Sequence, residues 1–260
     1  MGILNITDDS FYDGGKFNSA SKAISHVQQM VEEGVDIIDI GAQSTRPRAT
    51  QLSDKEEIIK LSNLITILKS EFPNIIISID TFYGNTAKFA LDSGADIIND
   101  ISGGDFDPSI WDVAAEYKCP YILMHHQGTP STMQINPCYS NLIEEVWDYF
   151  IQKIGKLKEK GIHDIIIDVG YGFGKTLDHN YTLMSNSDLF LKMGFPLLTG
   201  VSRKSMVYKL FNGTASEALN GTSALNMYAL IKGSKILRVH DVKAAKELVI
   251  IYNKLTNSSI

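Results

Sequence analysis

Gly34-Val-Asp-Ile-Ile-Asp39, Gly94-Ala-Asp-Ile-Ile-Asn99 and Gly161-Ile-His-Asp-Ile-Ile-Ile-Asp168 repeat one phrase. Each runs from a glycine, through a residue or two, into a β-branched stretch that ends in a polar residue. The glycine suits the left-handed position that ends a helix, and the isoleucine run suits a strand buried on both faces. Gly233-Ser-Lys-Ile-Leu-Arg-Val239 is a looser fourth copy. These are helix-to-strand junctions with almost no loop. Working outward from them, the pattern predicts strands near 2–6, 36–41, 75–80, 96–100, 120–125, 164–168, 196–201 and 235–239. Helical patterns fall near 20–33, 54–70, 84–93, 108–118, 140–160, 180–193, 214–232 and 241–255. Ser53-Asp-Lys-Glu56 reads as a capping box opening the second helix.

Eight strands alternating with eight helices predict an α/β protein, a (β/α)8 TIM barrel. A doubly wound open sheet is the alternative, but eight units without a break favour closure. With no linker or low-complexity stretch, residues 1–260 read as one domain. The connections from helix to strand are short, whereas those from strand to helix at 7–19, 42–53 and 126–139 are long. Loops of that length are usually functional, and in this fold they gather at the C-terminal face, where active sites lie.

Composition narrows the ligand. The chain has 260 residues, of which 44% are apolar and 21% charged, with 24 Lys and Arg against 30 Asp and Glu for a formal net charge of −6. That balance argues against a nucleic-acid or membrane partner, so an anionic ligand must be held by a local positive cluster. Cys119 and Cys138 are too few for a disulfide framework and lack metal-ligand spacing, as expected of a reduced cytoplasmic protein. The N-terminus has no basic segment or apolar core of a signal peptide, and no apolar run approaches the roughly 20 residues of a membrane span. The Asn-Gly-Thr matches at 212 and 220 carry no weight without a secretion signal.

The predicted strands end in Asn5, Asp39, Asp80, Asn99, His125, Asp168, Ser202 with Lys204, and Arg238 with His240. Unpaired buried polar groups cost about 1–3 kcal/mol each, so a polar residue at nearly every strand end calls for a purpose. Asp39 and His125 fit mutual pairing or helix capping as readily as ligand binding. Only four arginines occur, Arg46, Arg48, Arg203 and Arg238, and all follow or end strands two, seven and eight. Guanidinium suits forked recognition of carboxylate or phosphate, and His240 precedes a helix whose N-terminal amides favour anions. Phosphate or diphosphate is the expected ligand, with Arg48 equally readable as a solvated surface residue. Asp80, Asn99 and Asp168 end three other strands. A flat heterocycle with an amino group beside a ring N–H offers two donors to one carboxylate, and Lys204 can meet a ring carbonyl or nitrogen.

Two motifs do not carry function. Gly170-Tyr-Gly-Phe-Gly-Lys-Thr176 imitates a phosphate-binding loop, but its first required glycine falls on Val169. Its glycines read instead as a tight turn. Adjacent His125 and His126 point to opposite faces of an extended strand and do not form a metal pair.

Taken together, the segments closely resemble the dihydropteroate synthase family, folate-pathway enzymes inhibited by sulfonamides. The resemblance runs through MGILNITDDSFYDGG at the start, GAQSTRP at 41–47, SIDTF at 78–82 and INDISGG at 98–104. It continues through LMHHQGTPSTMQ at 123–134, IDVGYGFGKT at 167–176, VSRKSM at 201–206 and LRVHDV at 237–242. It implies condensation of (7,8-dihydropterin-6-yl)methyl diphosphate with p-aminobenzoate, giving 7,8-dihydropteroate and diphosphate. Position by position, Asp80, Asn99, Asp168 and Lys204 match the family's pterin-holding groups, with Met124 and Phe173 walling the pocket. Asn5, Arg238 and His240 match the diphosphate ligands, Asn5 also lying near the accompanying Mg²⁺. Phe11, Thr45, Arg46, Pro47 and Ser202 resemble the p-aminobenzoate site. Asp80, Lys204, Arg238 and His240 are the expected catalytic set, and the resemblance implies a cytoplasmic homodimer.

The chain departs from the family pattern in places. Asp8 stands where Pro is common, Ala42-Gln43 replaces Gly-Glu, and Val169 replaces Pro; none removes a proposed ligand-contacting group. The first strand opens without the short upstream segment of many relatives, which fits a trimmed chain or one domain of a fusion. A methyltetrahydrofolate-dependent methyltransferase shares the barrel and an Asp–Asn–Asp pocket but needs no diphosphate clamp, so STRP, SRKS and RVHD count against it. A non-catalytic relative has no motive in a sequence that keeps every expected position. A barrel aldolase would want a Schiff-base lysine on strand six, where Asp168 stands.

Overall fold

The computed structural model describes residues 1–6, 15–43, 51–129, 132–133 and 135–257, with the side chains of 15–19 left aside. Eight parallel strands pair in chain order: β1 (Gly2–Asn5), β2 (Ile37–Gly41), β3 (Ile76–Asp80), β4 (Ile97–Asp100), β5 (Tyr121–Met124), β6 (Ile165–Asp168), β7 (Leu197–Thr199) and β8 (Ile236–Leu237). The sheet closes on itself, since the Ile3 N–H donates to Val239 O at 3.0 Å and the Val239 N–H to Met1 O at 2.9 Å. The helices are α1 (Gly15–Glu32), α2 (Asp54–Leu61), α3 (Leu64–Glu71), α4 (Gly84–Asp92), α5 (Ser109–Tyr117), α6 (Leu142–Glu159), α7 (Leu177–Ser185), α8 (Ser205–Tyr208), α9 (Leu219–Ile231) and α10 (Val242–Asn257). The fold is therefore the (β/α)8 barrel expected from the repeated phrase.

The glycine of each repeat does what its position demands. Gly34, Gly94, Gly161 and Gly233 have φ of 85°, 108°, 85° and 94°. After each, the next N–H closes the helix by a long backward bond: Val35 to Met30 O, Ala95 to Ala90 O, Ile162 to Leu157 O and Ser234 to Ala229 O, all 2.9 Å. This is the Schellman closure, which satisfies the last carbonyls of the helix and turns the chain directly into the next strand. After α5 the same left-handed turn is made by Lys118, φ 51°.

Three helical expectations are corrected. The pattern over 54–70 is two helices, α2 and α3, parted at Ser62, whose φ is 44°. Leu61, Leu64, Ile65 and Leu68 keep helical spacing across the break and are all buried, so periodicity does not register it. The pattern over 180–193 is α7, capped by Thr176, followed by a 3-10 turn at 187–193. That over 214–232 is a 3-10 turn at 215–217 and then α9. The Ser53–Glu56 capping box is present, the Glu56 N–H reaching Ser53 Oγ at 3.3 Å and the Ser53 N–H reaching Glu56 Oε2 at 2.8 Å.

Strand alternation divides the barrel interior into storeys. Ile97, Ile122, Ile166 and Leu198 form a buried apolar plug with Ile37 and Ile236. Two residues further along the same strands stand Asn99, Met124, Asp168, Gly200, Asp39 and Arg238. The plug is the floor, and this polar ring is the storey above it, at the C-terminal mouth.

Candidate active site

The polar ring is organised by Arg238. Its Nε donates to Asp39 Oδ2 at 2.6 Å and its Nη2 to Asp80 Oδ2 at 2.7 Å, joining the last strand to the second and third across the mouth. Asn99 Nδ2 donates to the same Asp39 oxygen at 3.0 Å. Asp39 is fully buried, whereas the Asp80 side chain is 16% exposed, so Asp39 lies beneath and Asp80 faces the mouth. Burial pushes the Asp80 carboxyl up to about 7, with Asp39, Glu57 and Asp100 adding to the shift and Arg238 opposing it. The two carboxylates keep Arg238 a cation well past its ordinary range.

Asp168 sits opposite, its Oδ1 accepting the Gly170 N–H at 2.8 Å. Burial raises its pKa, while the Lys204 charge counters. Lys204 Nζ donates to Tyr171 O at 2.6 Å and lies 4.8 Å from the Phe173 ring centroid. Burial lowers its amine to about 8, partly offset by Asp168. Met124 joins Phe82 and Ile101 in a buried apolar cluster with Phe173 against it, which forms one wall of the mouth. Gly170 and Gly174 (φ 70° and 67°) let the turn after β6 lie against the turn after β5. A Cβ at either would stand 1.9 Å from His125 O or 2.5 Å from Gln127 O.

On the third side, the His240 N–H donates to Ser202 Oγ at 3.1 Å, and that hydroxyl lies 3.1 Å from His240 Nδ1. A hydroxyl that accepts from the backbone and donates to Nδ1 leaves the ring proton on Nε2. Burial and the nearby Arg238 charge lower His240 to about 4, so the ring is neutral near pH 7. Asn5 ends β1 with its side chain exposed, registered against Gly41, whose Cβ position is 3.4 Å from Asp80. Among the described residues, no group of three or more His, Cys, Asp or Glu is placed to hold a metal. A lone amide oxygen does fit an ion that keeps its waters and arrives on substrate phosphates, as Mg²⁺ does.

The structure thus brings Asn5, Asp80, Asn99, Met124, Asp168, Phe173, Ser202, Lys204, Arg238 and His240 to one end of the barrel. Phe11, Thr45, Arg46 and Pro47 lie outside the described residues. Arg203, grouped above with the anion-binding arginines, instead forms a forked pair with Asp241 (2.9 and 2.7 Å), fixing the turn after β7 to the start of α10. Sequence reading missed Lys175, which is 3% exposed and reaches His125 Nδ1 at 2.9 Å and Phe173 O at 3.0 Å. Burial lowers this amine to about 7. It also missed Asp100, which binds the Ser102 and Gly104 N–H groups at 2.7 Å and Tyr121 Oη at 2.5 Å, shaping the turn after β4. Both residues lie inside quoted segments, Lys175 in IDVGYGFGKT and Asp100 in INDISGG, but neither stands among the polar strand ends read as the site.

Fold and site define a (β/α)8 barrel enzyme whose C-terminal mouth gathers carboxylates, amides and two cations. The chain belongs to the pterin binding enzyme family, whose model matches residues 1–240. It is 45% identical over 251 residues to a dihydropteroate synthase of Synechocystis sp., covering 95% of this chain and 86% of the relative. It superposes on the Yersinia pestis dihydropteroate synthase solved with a sulfonamide drug at TM-score 0.93 and 36% identity, over 100% of this chain and 94% of that one. The Xanthomonas albilineans dihydropteroate synthase with 4-aminobenzoic acid gives TM-score 0.93 and 32% identity, over 100% and 93%.

Proposed function

We propose that the chain is a dihydropteroate synthase, joining (7,8-dihydropterin-6-yl)methyl diphosphate to p-aminobenzoate in folate biosynthesis. The observation that carries this reading is one mouth holding Asp80, Asn99 and Asp168 for a ring with adjacent donors, beside Arg238 and His240 for an anion. In this reading Asp168 and Asn99 hold the pterin edge, Lys204 meets its carbonyl or ring nitrogen, and Met124 and Phe173 wall its faces. Asn5, Arg238 and the Nε2–H of His240 face the diphosphate. The bond from the pterin methylene to the diphosphate oxygen breaks, its electron pair leaving with diphosphate. The positive charge left on the ring lies over Asp80 and favours its carboxylate form. The arylamine nitrogen then forms the new bond to the methylene, and its proton passes to the released diphosphate or to solvent. Preorganised charge of this kind is commonly the largest catalytic contribution.

Mg²⁺, bound with the diphosphate at Asn5, would supply Lewis-acid charge for the leaving group. Phe11, Thr45, Arg46 and Pro47, with Ser202, are assigned to p-aminobenzoate and to sulfonamides that imitate it. We further propose one cytoplasmic domain over residues 1–260 that works as a homodimer. The single sheet running from residue 2 to residue 237 supports one domain. Among the described residues no helix is long and apolar enough to cross a membrane. The decisive test is product formation from labelled p-aminobenzoate and the pterin diphosphate, with and without Mg²⁺. Mg²⁺-dependent dihydropteroate with release of diphosphate is the expected result. Tight pterin binding without product would keep the pocket and overturn the chemistry.

A further inference from the structure

His126 follows β5 and stands between two turns of the barrel mouth. Its Nδ1 lies 2.8 Å from Gly128 O, in the turn after β5, and its Nε2 lies 2.9 Å from Ser102 O, in the turn after β4. A carbonyl oxygen only accepts, and a neutral imidazole carries a single N–H. Serving both oxygens takes a proton on each nitrogen, so the ring in this arrangement is an imidazolium. Asp105 Oδ2, 3.4 Å from Nε2, supplies the counter-charge, and the His126 side chain is only 10% exposed. The Phe106 ring packs edge-on against it at 5.2 Å between centroids and meets Phe82 in the same way at 5.3 Å. Phe82 and Phe106 belong to the apolar cluster of Met124 and Phe173 that walls the mouth.

The reaction described above uses none of His126, Asp105 or Phe106. We infer that His126 is a positioning residue that works as a cation: it ties the turns after β4 and β5 together behind Phe106 and Met124, and the pterin pocket loses affinity when the ring gives up its second proton. The inference rests on the proposed function. A neutral ring serves one carbonyl and leaves the other turn unheld. Burial lowers the pKa of the ring, but Asp105, Gly128 O and Ser102 O outweigh it and hold it above its ordinary value. The clamp is therefore complete below that raised pKa and lost as pH rises through it. The other charged and titratable groups around the ring come from three elements. Lys153, on α6, shares Asp105 with it and donates to Gly103 O at 2.8 Å. Tyr149 of the same helix packs at 6.4 Å between centroids and donates to Met124 O at 2.9 Å. His125, next in the chain, is neutral, since burial and the Lys175 charge lower it. Asp100, at the end of β4, is committed to the Ser102 and Gly104 N–H groups.

The test uses the full chain with His126→Gln and Asp105→Asn, and a pterin without phosphate, which leaves His240 aside. Nitrogen NMR of labelled histidine should show both ring nitrogens of His126 protonated at about pH 6, one of them losing its proton only above the ordinary histidine range. Bound pterin should move that loss to higher pH, and Asp105→Asn should move it lower. A glutamine at 126 serves one carbonyl, as the neutral ring does. The calorimetric Kd for pterin in His126→Gln, divided by the wild-type value, should be about fivefold at about pH 6 and approach one by about pH 9. That ratio removes the titrations of Asp80, Lys175, Lys204 and the pterin itself, which both proteins share. A residue that merely fills space would give a ratio independent of pH, so a flat ratio overturns the positioning role alone. A ring with one bare nitrogen at about pH 6 does the same. A wild type that binds no pterin overturns the proposed function and the positioning role together.

Discussion

Arg238 carries the site because it answers two carboxylates at once, one fully buried and one at the mouth. A buried carboxylate without such a partner is strongly unfavourable, so Asp39 aims the guanidinium and Asp80 shares it. His240 is the complementary case, a ring kept neutral by burial and by the same cation. Diphosphate beside it would favour the imidazolium, raising its pKa from about 4 and drawing in a proton as the ligand binds. Affinity for inorganic diphosphate should therefore improve as pH falls through the raised pKa. Calorimetry in buffers of different ionisation enthalpy should show proton uptake that is lost in His240→Gln; equal uptake in both proteins would contradict the assignment. Asp168→Ala should weaken pterin binding by about 1.5–3 kcal/mol, the scale of hydrogen bonds to a charged group, measured by calorimetry. Unchanged pterin affinity would remove Asp168 from the pocket. The polar ends of the strands were legible because a buried polar residue has to be explained. The Arg238–Asp39 pair spans 199 positions, so nothing local announces it. Of the four arginines grouped for an anion, Arg238 stands in the site, Arg203 is held by Asp241, and Arg46 and Arg48 lie outside the described residues.

At the scale of elements, the glycine-to-isoleucine phrase was legible because it is local: six to eight residues hold both the helix stop and the strand. Two glycines beside one helix separate the contributions. At Gly161 an added Cβ meets nothing within 4 Å, but φ is 85°; at Gly155, inside α6, the space is equally open and φ is not positive. Gly161→Ala should therefore cost about 1–2 kcal/mol through left-handed strain alone. Gly155→Ala should gain about 0.5–1 kcal/mol by removing unfolded-state freedom. Urea denaturation of both variants checks the opposite signs, and two changes of the same sign would contradict the Schellman account of the junctions. The break between α2 and α3 was illegible for the converse reason. The apolar spacing runs straight through Ser62, and only the backbone turns aside.

For the molecule as a whole, closure of the sheet removes its edges, so the surface open to a partner lies on the helices. Among the described residues, more than half of the large exposed apolar side chains lie on or beside two packed helices. Tyr228 and Ile231 stand on α9, with Ile250, Ile251 and Leu255 on α10, which packs against it. Phe211, 69% exposed, lies beside α9 at Gly221. Leu210 precedes Phe211 and Leu219 opens α9, while Ile59, Ile76, Ile135 and Ile151 are scattered over α2, β3, the loop before α6, and α6 itself. Exposed apolar side chains gathered on two packed helices mark a candidate interaction surface. A second copy is the partner that the proposed homodimer supplies, and a two-fold contact needs only one such patch because it meets itself. Ile231→Glu combined with Leu255→Glu would then place like charges across the contact and leave each barrel intact. Sedimentation velocity should show the wild type at the mass of two chains and the double variant at one, with pterin affinity unchanged within about twofold. A wild type that sediments as a single chain at micromolar concentration would refute the homodimer, and would leave this patch to a different protein.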